Sequence, residues 1–537
     1  MLRRTLPYAA GLIVCLLFGA LGLALLNYPG AQYDEVLFAT AIYTPEYIES
    51  TVQFSFGRVP IMLMTYIGTL KAALYLPLVH WFGGTNATLR LPVLALGMVS
   101  IWFFYLAMRR LAGTKAALLA ALLLATDVMY LITCVFDWGP VAIQHALFTA
   151  LLYAGVRYVQ EQRGRWLFAA TLCAGLALWD KALFIWLLAG FGVALVAVFP
   201  REMWQVARNR RRLSVAVLGF VLGAAPFLYY NKIKPLNTFK ANVQVDQQSV
   251  ASKFIQLDRT FDGSGLMGYL VREDPAGPVQ NLKSWEKIPL FLNGQLGNPR
   301  NSLQHLLLVA ALLLAPIVCW FGPHRRAAIF FLLGGGLTYV LMLLTRSAGG
   351  SLHHTILLWP VPQILLALLL AQVAALWPRR GWRVGAVLVL VCTVSNLTVF
   401  NTYLAHFIAC GPGEYWNDAV RPLVYELGRK PGRMIFAVDW GITNQIEWYG
   451  NGRIGFQRGS DGLVVGLPEP MNVPPIEQAL ANPGTVFVTH PEGREAFVGV
   501  RQKMIDFARE RGYRDEVVQT IQDRHGVAMF ELHEFRK

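Results

Sequence analysis

Acidic, basic and histidine side chains recur in the segments that join the apolar runs of this chain. Asp34 and Glu35 come about six residues after the first apolar run, which extends from about Tyr8 to Tyr28. A carboxylate at the point where the chain leaves an apolar run can take the proton from an attacking hydroxyl group. Lysine or arginine can hold a phosphate and stabilise its charge as it leaves. These residue types suit transfer of a sugar from a lipid-linked phosphate.

Further ionisable residues are predicted to lie on the same side of the membrane as Asp34, where such residues are functional candidates. His353 and His354 are adjacent, so on a helix they point in different directions and cannot readily share a metal ion. Candidate catalytic groups are Asp34, Glu35 and Asp137. Candidate ligands of the substrate or its phosphate are Lys71, Arg58, Lys181, Arg346, His353 and His354.

Each candidate also has a structural interpretation that the sequence leaves open. Asp137 precedes a Gly-Pro turn and can cap the next helix. Lys71 can extend from an interfacial helix to water. Lys181 can pair with its neighbour Asp180 at a helix break.

The composition is that of a membrane protein that crosses the bilayer several times. Of 537 residues, 55% are hydrophobic and only 15% are charged, whereas about a quarter of the residues of soluble domains are charged. The formal net charge is +15, but much of the Lys and Arg falls in short loops between apolar runs. Membrane topology explains this charge better than nucleic-acid binding does, so no nucleic-acid partner is expected.

The basic clusters predict the topology, because Lys and Arg in short loops favour the cytoplasmic side. Arg3 and Arg4 precede the first span and hold the N-terminus in the cytoplasm. With each later cluster placed there, the C-terminus lies outside the cytoplasm. The predicted location of the protein is a bacterial inner membrane. The eleven predicted crossings are near 8–28, 89–108, 112–130, 139–158, 166–180, 182–199, 213–230, 303–321, 327–345, 355–376 and 384–404.

Two regions are predicted, a transmembrane catalytic region over 1–404 and an extracytoplasmic α/β domain over 405–537. The first carries large outer segments at about 29–88 and 231–301. Residues 60–81 are expected to form short helices at the membrane interface. In the second region, alternation and composition predict strands over 434–438, 485–489 and 527–531 and a helix over 494–511.

Four short stretches, in this order, resemble motifs of the GT-C superfamily of membrane glycosyltransferases. The similarity is greatest to the protein O-mannosyltransferase and aminoarabinose-transferase branches and is best over residues 1–200. The stretches are Tyr33-Asp34-Glu35, Gly68-Thr69-Leu70-Lys71-Ala72-Ala73-Leu74-Tyr75, Leu89-Arg90-Leu91-Pro92 and Gly175-Leu176-Ala177-Leu178-Trp179-Asp180-Lys181.

The resemblance implies roles for individual residues. Asp34 would be the catalytic base, Lys71 would contact the carrier phosphate, and Asp137 would orient acceptor or carrier. One departure concerns Lys71, which stands in Leu-Lys-Ala-Ala where the family often has Glu-Lys-Pro-Pro.

The resulting prediction is an inverting glycosyltransferase that uses a polyprenyl-phosphate sugar and an acceptor outside the cytoplasm. The acceptor stays open among protein, glycolipid and cell-wall glycan. The wider superfamily leaves a divalent metal open, although this sequence contains no ligand cluster that demands one. The alternatives are a transporter or lipid flippase, whose sites usually lie near the midplane, and a membrane anchor for a partner-binding tail.

Overall fold

The computed structural model describes residues 2–55, 57–242, 250–275, 282–345, 349–430, 432–459 and 473–537. A helical bundle extends to about residue 409, and a small α/β unit follows it. The unit contains a five-stranded sheet. This confirms the predicted fold class, which is mainly helical with a small C-terminal α/β region.

The bundle consists of apolar helices, which satisfy their backbone hydrogen bonds internally as lipid surroundings require. Each of the eleven predicted crossings overlaps at least one helix. The helices are α1 (Leu2–Leu25), α2 (Thr40–Tyr43), α3 (Leu70–Phe82), α4 (Asn86–Ala112), α5 (Thr114–Thr126), α6 (Val128–Thr133), α7 (Val141–Glu161), α8 (Gly164–Asp180), α9 (Ile185–Val198), α10 (Pro200–Arg208), α11 (Arg210–Ile233), α12 (Asn237–Asn242), α13 (Val250–Asp262), α14 (Lys287–Leu296), α15 (Gln304–Val318), α16 (Arg325–Leu344), α17 (Leu352–Thr355), α18 (Val361–Leu376) and α19 (Pro378–Ala409).

In the described part of the chain, six helices are long and apolar enough to cross a membrane. A seventh span results if Ala182–Val198 and Pro200–Arg208, which meet at 99°, are counted as one. The predicted crossings at 112–130, 139–158, 166–180 and 303–321 coincide with helices that do not meet those limits of length and composition. Several crossings are therefore supported, and the total of eleven stays a prediction.

The apolar segment Leu352–Leu376 lies at the centre of the bundle. Its most apolar window is 89% buried, against 28–50% for the other candidate spans. Other helices therefore surround it on nearly all sides. Its N-terminal end, α17, carries His353 and His354, so both histidines are fixed at one end of the central span.

The ends of α4 are set by local chemistry. The Thr85 hydroxyl accepts a hydrogen bond from the backbone N–H of Thr88 at 3.0 Å, as a helix N-cap does. The helix ends at Gly113, whose φ of +85° suits glycine. Arg109 and Arg110 in the last turn favour the negative end of the helix dipole. The basic residues thus lie at the opposite end of α4 from Arg90.

The segment after α2 differs in part from the expected interfacial helices. Residues 60–62 belong to a hairpin of β1 (Ser50–Phe54) and β2 (Gly57–Met62), in which Thr51 is opposite Pro60. Cross-strand pairing, which local composition does not reveal, decides this conformation. The expected helix begins only at α3. The second large segment, about 231–301, contains α12, α13 and α14, while 243–249 and 276–281 lie outside the described residues.

The C-terminal unit is a mixed sheet in the strand order β4-β3-β5-β7-β6. β3 is parallel to β4 and β5, and β7 is antiparallel to β5 and β6. The predicted strands overlap β3, β5 and β7. The short β4 and the largely exposed, polar β6 were not predicted, because neither has a clear apolar alternation. The elements are α20 (Val420–Gly428), β3 (Ile435–Ala437), α21 (Thr443–Gly450), β4 (Phe456–Arg458), α22 (Val473–Ala481), β5 (Val486–Thr489), α23 (Val500–Glu510), β6 (Arg514–Gln522) and β7 (Ala528–Arg536).

Helix α21 packs directly on the acidic segment that follows α1. The buried Glu447 carboxylate accepts a hydrogen bond from the Thr40 hydroxyl at 3.2 Å. The Tyr449 hydroxyl accepts one from the Ala31 N–H, also at 3.2 Å. These contacts lie on both sides of residues 33–35, so the C-terminal unit holds that segment in place.

Candidate active site

A cavity of about 80 Å³ lies where the acidic segment, α3 and the ends of α8 and α17 meet. Four of the predicted site residues line it: Asp34, Lys71, Lys181 and His353. The other lining residues are Leu37, Phe38, Leu63, Met64, Tyr66, Ile67, Gly68, Trp138, Gly139 and Pro140. The walls are thus mostly apolar and aromatic, with a few charged groups, which is typical of a ligand site.

Two of the sequence motifs form one wall of the cavity by pairing their backbones. The Gly68 N–H donates to the Asp180 carbonyl at 3.0 Å, and the Ala182 N–H donates to the Tyr66 carbonyl at 2.8 Å. A Cβ at position 68 would lie 2.1 Å from the Trp179 carbonyl oxygen, so only glycine fits there. This pairing places Lys181 near Lys71.

Lys71 is buried and already has a counter-ion. Its ammonium lies 2.8 Å from the Asp137 carboxylate and donates to the carbonyls of Glu35 at 3.3 Å and Asp137 at 3.1 Å. The ammonium also lies 4.8 Å from the centre of the Phe38 ring. Its charge is therefore largely compensated before any substrate arrives.

Asp137 is held from two sides. One carboxylate oxygen accepts the N–H of Ala142, in the first turn of α7, at 2.8 Å, and the other faces Lys71. One carboxylate oxygen of Asp137 therefore satisfies the N-terminus of α7, as the structural interpretation predicts. The other oxygen contacts Lys71, which is compatible with a role for Asp137 in orienting the substrate through Lys71.

Glu35 points away from the cavity and forms a buried ion pair with Arg90. The Arg90 Nε and Nη2 atoms donate to the two carboxylate oxygens at 2.9 and 3.1 Å, a bidentate arrangement. Arg90 also donates to the carbonyls of Leu26, Tyr28, Pro29 and Gly30 at 2.8–3.2 Å. This geometry favours a structural role for Glu35 over the predicted catalytic one.

Asp34 faces the cavity and differs from its neighbour Glu35. Its backbone N–H donates to the Gln32 side chain at 2.6 Å, which fixes the turn. Among the described residues, no Lys, Arg or His nitrogen lies within 4.0 Å of its carboxylate. Burial raises the pKa of the Asp34 carboxyl, against the lowering effects of Gln32 and Lys181. A carboxylate with a raised pKa is a better proton acceptor.

Lys181 is the second charged group that is not paired. Its ammonium donates to the Gly139 carbonyl at 3.2 Å, and no carboxylate oxygen of the described residues lies within 4.0 Å of it. The neighbouring Asp180 instead accepts from the Gln144 amide at 2.8 Å. Burial lowers the pKa of Lys181 to about 8, partly offset by the surrounding carboxylates. The pairing of Lys181 with Asp180 is therefore not found.

His353 is oriented by Trp138. The indole N–H, which can only donate, lies 2.9 Å from His353 Nδ1, so the neutral ring carries its proton on Nε2. His353 lines the cavity, which makes this N–H a candidate donor to an anionic ligand. The His354 ring packs edge-on against His353, with 4.3 Å between centres, and does not line the cavity.

The two predicted arginines are not brought into this site. Arg58 is exposed on β2, opposite Gln53. Arg346 lies outside the described residues. Their roles as phosphate ligands stay predictions. In the described ranges, no group of three or more His, Cys, Asp or Glu side chains is placed to hold a metal ion.

Sequence reasoning missed the roles of Arg90 and Trp138. An arginine within an apolar helix was itself a sign of function or of a buried partner, but only the fold shows that the partner is Glu35. Trp138 had no such sign, because its role depends on contact with His353, 215 residues away.

Part of the chain matches a known protein family. Residues 72–230 match the family model described as dolichyl-phosphate-mannose-protein mannosyltransferase. That segment contains Arg90, Asp137 and Lys181 and begins one residue after Lys71. No curated protein sequence matches the chain significantly.

Two crystal structures of ArnT from Cupriavidus metallidurans share the fold of the whole chain. The form bound to undecaprenyl phosphate has a TM-score of 0.59 and 14% identity and covers 99% of this chain and 97% of that one. The apo form has a TM-score of 0.56 with the same identity and coverage. These matches confirm the predicted resemblance: the chain shares its fold with ArnT, residues 72–230 match a mannosyltransferase family model, and the fold is that of a multi-pass membrane protein.

Proposed function

We propose that this protein transfers a sugar from a polyprenyl-phosphate donor to a hydroxyl group on an acceptor outside the cytoplasm. The observation that carries the proposal is that two oppositely charged side chains, Asp34 and Lys181, line one cavity without forming an ion pair. Within the described residues, the Asp34 carboxylate has no cation within 4.0 Å and the Lys181 ammonium has no carboxylate within that distance. One group suits a hydroxyl proton and the other suits a phosphate.

The donor phosphate would lie beside Lys181. A cation in a largely apolar cavity stabilises the charge that develops on the leaving phosphate oxygen. The Nε2–H of His353 supplies a further donor, while the ammonium of Lys71, neutralised by Asp137, supplies hydrogen bonds more than net charge. The similar fold of ArnT with bound undecaprenyl phosphate supports this class of carrier.

The reaction would be a single displacement with inversion at the anomeric carbon. The acceptor oxygen forms a bond to that carbon as the bond to the phosphate oxygen breaks. The hydroxyl proton passes to the Asp34 carboxylate, and the electron pair of the broken bond leaves with the polyprenyl phosphate. The raised pKa of Asp34 favours this proton transfer.

The expected location is a bacterial inner membrane with the cavity on the outer side. Arg109 and Arg110 lie at the end of α4 opposite to Arg90, whose partner Glu35 directly follows the cavity residue Asp34. Basic residues favour the cytoplasmic side, so the cavity and the region 405–537 face outward. Charges at one end of the bundle also fit a transferase better than a transporter, whose site is usually central.

The test uses the full-length protein in nanodiscs. Undecaprenyl phosphates carrying a radiolabelled hexose, pentose or aminopentose are supplied with a membrane and cell-wall extract. Transfer by the wild type and a loss of about 10²–10⁴-fold in Asp34→Asn are expected, the usual contribution of a general base. Glu46→Gln removes an exposed carboxylate from the same segment and serves as the matched control.

Thermal stability is measured alongside, so that a misfolded variant is recognised. If the wild type uses none of these donors, or if Asp34→Asn and Glu46→Gln transfer equally well, the proposed function is wrong.

A further inference from the structure

Five aromatic side chains form a continuous arc between the cavity and the C-terminal sheet. Successive ring centres are 6.4 Å apart from Trp138 to Tyr269, 6.1 Å from Tyr269 to Tyr415, 6.0 Å from Tyr415 to Trp440 and 4.5 Å from Trp440 to Tyr33. We call these residues the aromatic arc. All five lie in turns or a short 3-10 helix rather than in strands.

The two ends of the arc meet the candidate active site. Trp138 lines the cavity and is hydrogen-bonded to His353, and Tyr33 immediately precedes Asp34. The middle of the arc is open, with Tyr269 37% and Tyr415 39% exposed. A molecule lying along the rings would therefore reach the Asp34 carboxylate from the side of the C-terminal unit.

Trp440, which lies between Tyr415 and Tyr33 in the arc, follows a rigidly held turn. Asp439, which is buried just after β3, accepts the Trp440 N–H at 2.7 Å and the N–H groups of Ala496 and Phe497 at 2.8 and 3.1 Å. It also contacts Nδ1 of His490, just after β5, at 2.7 Å. β3 and β5 are parallel, and the carboxyl ends of parallel strands are a common place for ligands.

We propose that the aromatic arc binds the acceptor and that the acceptor is a carbohydrate chain. This inference rests on the proposed function, which it deepens. Each face of a sugar ring carries C–H groups that pack on an aromatic ring, while the hydroxyls at its edge need polar partners. Tyr and Trp supply both, an apolar face and a polar handle, with little flexibility.

A peptide acceptor is the other class that such a site could take. Peptides are commonly held through main-chain hydrogen bonds at a strand edge. The arc instead consists of aromatic rings carried on turns and a short 3-10 helix, with no strand edge, which favours a glycan. The lipid chain of the donor belongs to the apolar side of the cavity, formed by Leu37, Leu63, Met64 and Ile67, so donor and acceptor would enter from different sides.

The test measures binding of soluble probes to the full-length protein in nanodiscs by saturation-transfer NMR. The probes are mannotetraose, chitotetraose, cellotetraose and a Ser/Thr-rich octapeptide. At least one saccharide is expected to bind, and Trp440→Leu and Tyr415→Leu should each raise its Kd about three- to tenfold, the effect of losing one aromatic contact. Trp440→Phe should retain most of the affinity.

Trp204→Leu is the matched control, since Trp204 is exposed on α10, outside the arc. Asp34→Asn should bind the saccharide as the wild type does, because the arc does not need the base. Release of undecaprenyl phosphate from the donor is followed separately and reports on the proposed function alone.

Three outcomes overturn the arc as a glycan site: no saccharide binds, the arc variants bind as tightly as Trp204→Leu, or only the peptide binds with dependence on Trp440. Sugar transfer together with any of these leaves the proposed function in place. Saccharide binding that depends on the arc, without consumption of any donor, supports the arc as a glycan site and contradicts the proposed function.

Discussion

The charged residues at and behind the cavity form two groups, which differ in whether the charges are paired. The first group, which we call the inner layer, consists of the ion pairs Glu35–Arg90 and Lys71–Asp137, with contacts of 2.9 and 2.8 Å. Asp34 and Lys181 face the cavity without such partners among the described residues. Paired buried charges fix a structure, whereas an unpaired buried charge costs free energy and is retained where chemistry requires it.

Neighbours in sequence differ in whether they face the cavity. Asp34 faces the cavity and Glu35 faces Arg90, while Lys181 faces the cavity and Asp180 faces Gln144. The two residues of each pair are adjacent in the chain, and in the first pair both are carboxylates. Only the direction of the side chain separates a structural charge from a candidate for catalysis.

The largest expected effect on stability comes from breaking the inner layer. Arg90→Leu leaves the Glu35 carboxylate buried without its partner and frees four backbone carbonyls, which should destabilise the protein by about 3–5 kcal/mol. Thermal unfolding in detergent measures this. Asp34→Asn should leave the melting temperature nearly unchanged while activity is lost.

The control for Arg90 is Arg509→Leu, which removes an exposed ion pair with Asp506 and should change stability by less than about 1 kcal/mol. The double variant Glu35→Gln/Arg90→Leu should regain part of the loss, since no buried charge is left over. If Arg90→Leu melts like the wild type, the inner layer is not structural.

A smaller effect is expected from Lys181, on activity rather than stability. Lys181→Met should lower kcat by about 10²–10³-fold, as the loss of one stabilising group at a developing anion does. Lys181→Arg should keep most of the activity, because the positive charge remains.

The pH profile sharpens this prediction. Asp34 must be deprotonated, so activity rises with pH through its raised pKa; Lys181 must be protonated, so activity falls as pH rises through about 8. In Lys181→Arg the falling limb should move to higher pH, because arginine stays charged. An unchanged falling limb in that variant contradicts a role for the Lys181 charge.

The smallest effect is expected at Arg58, which is exposed on β2. Arg58→Ala should change stability by no more than about 0.5 kcal/mol and kcat/KM by less than about twofold, as surface substitutions do. A loss comparable to that of Lys181→Met would show that Arg58 joins the site when substrate binds.

Much of the fold followed from local sequence. Apolar runs predicted the helices that carry the site, and short alternating segments predicted β3, β5 and β7. The hairpin β1–β2 and the edge strand β6 were not predicted, because pairing with a partner strand defines them. Of the predicted site residues, Asp34, Lys71, Lys181 and His353 line one cavity, whereas Glu35 lies behind it with Arg90. The roles of these residues stay predictions.

The sequence by itself determined which chemical groups are present and that they lie next to apolar runs. Those properties follow from composition and from the length of chain that a bilayer needs. The tertiary structure alone decided which charges are paired, because Arg90 meets Glu35 across 55 residues and Trp138 meets His353 across 215. Such contacts depend on how helices pack, and no local pattern records where a side chain points once its neighbours are in place.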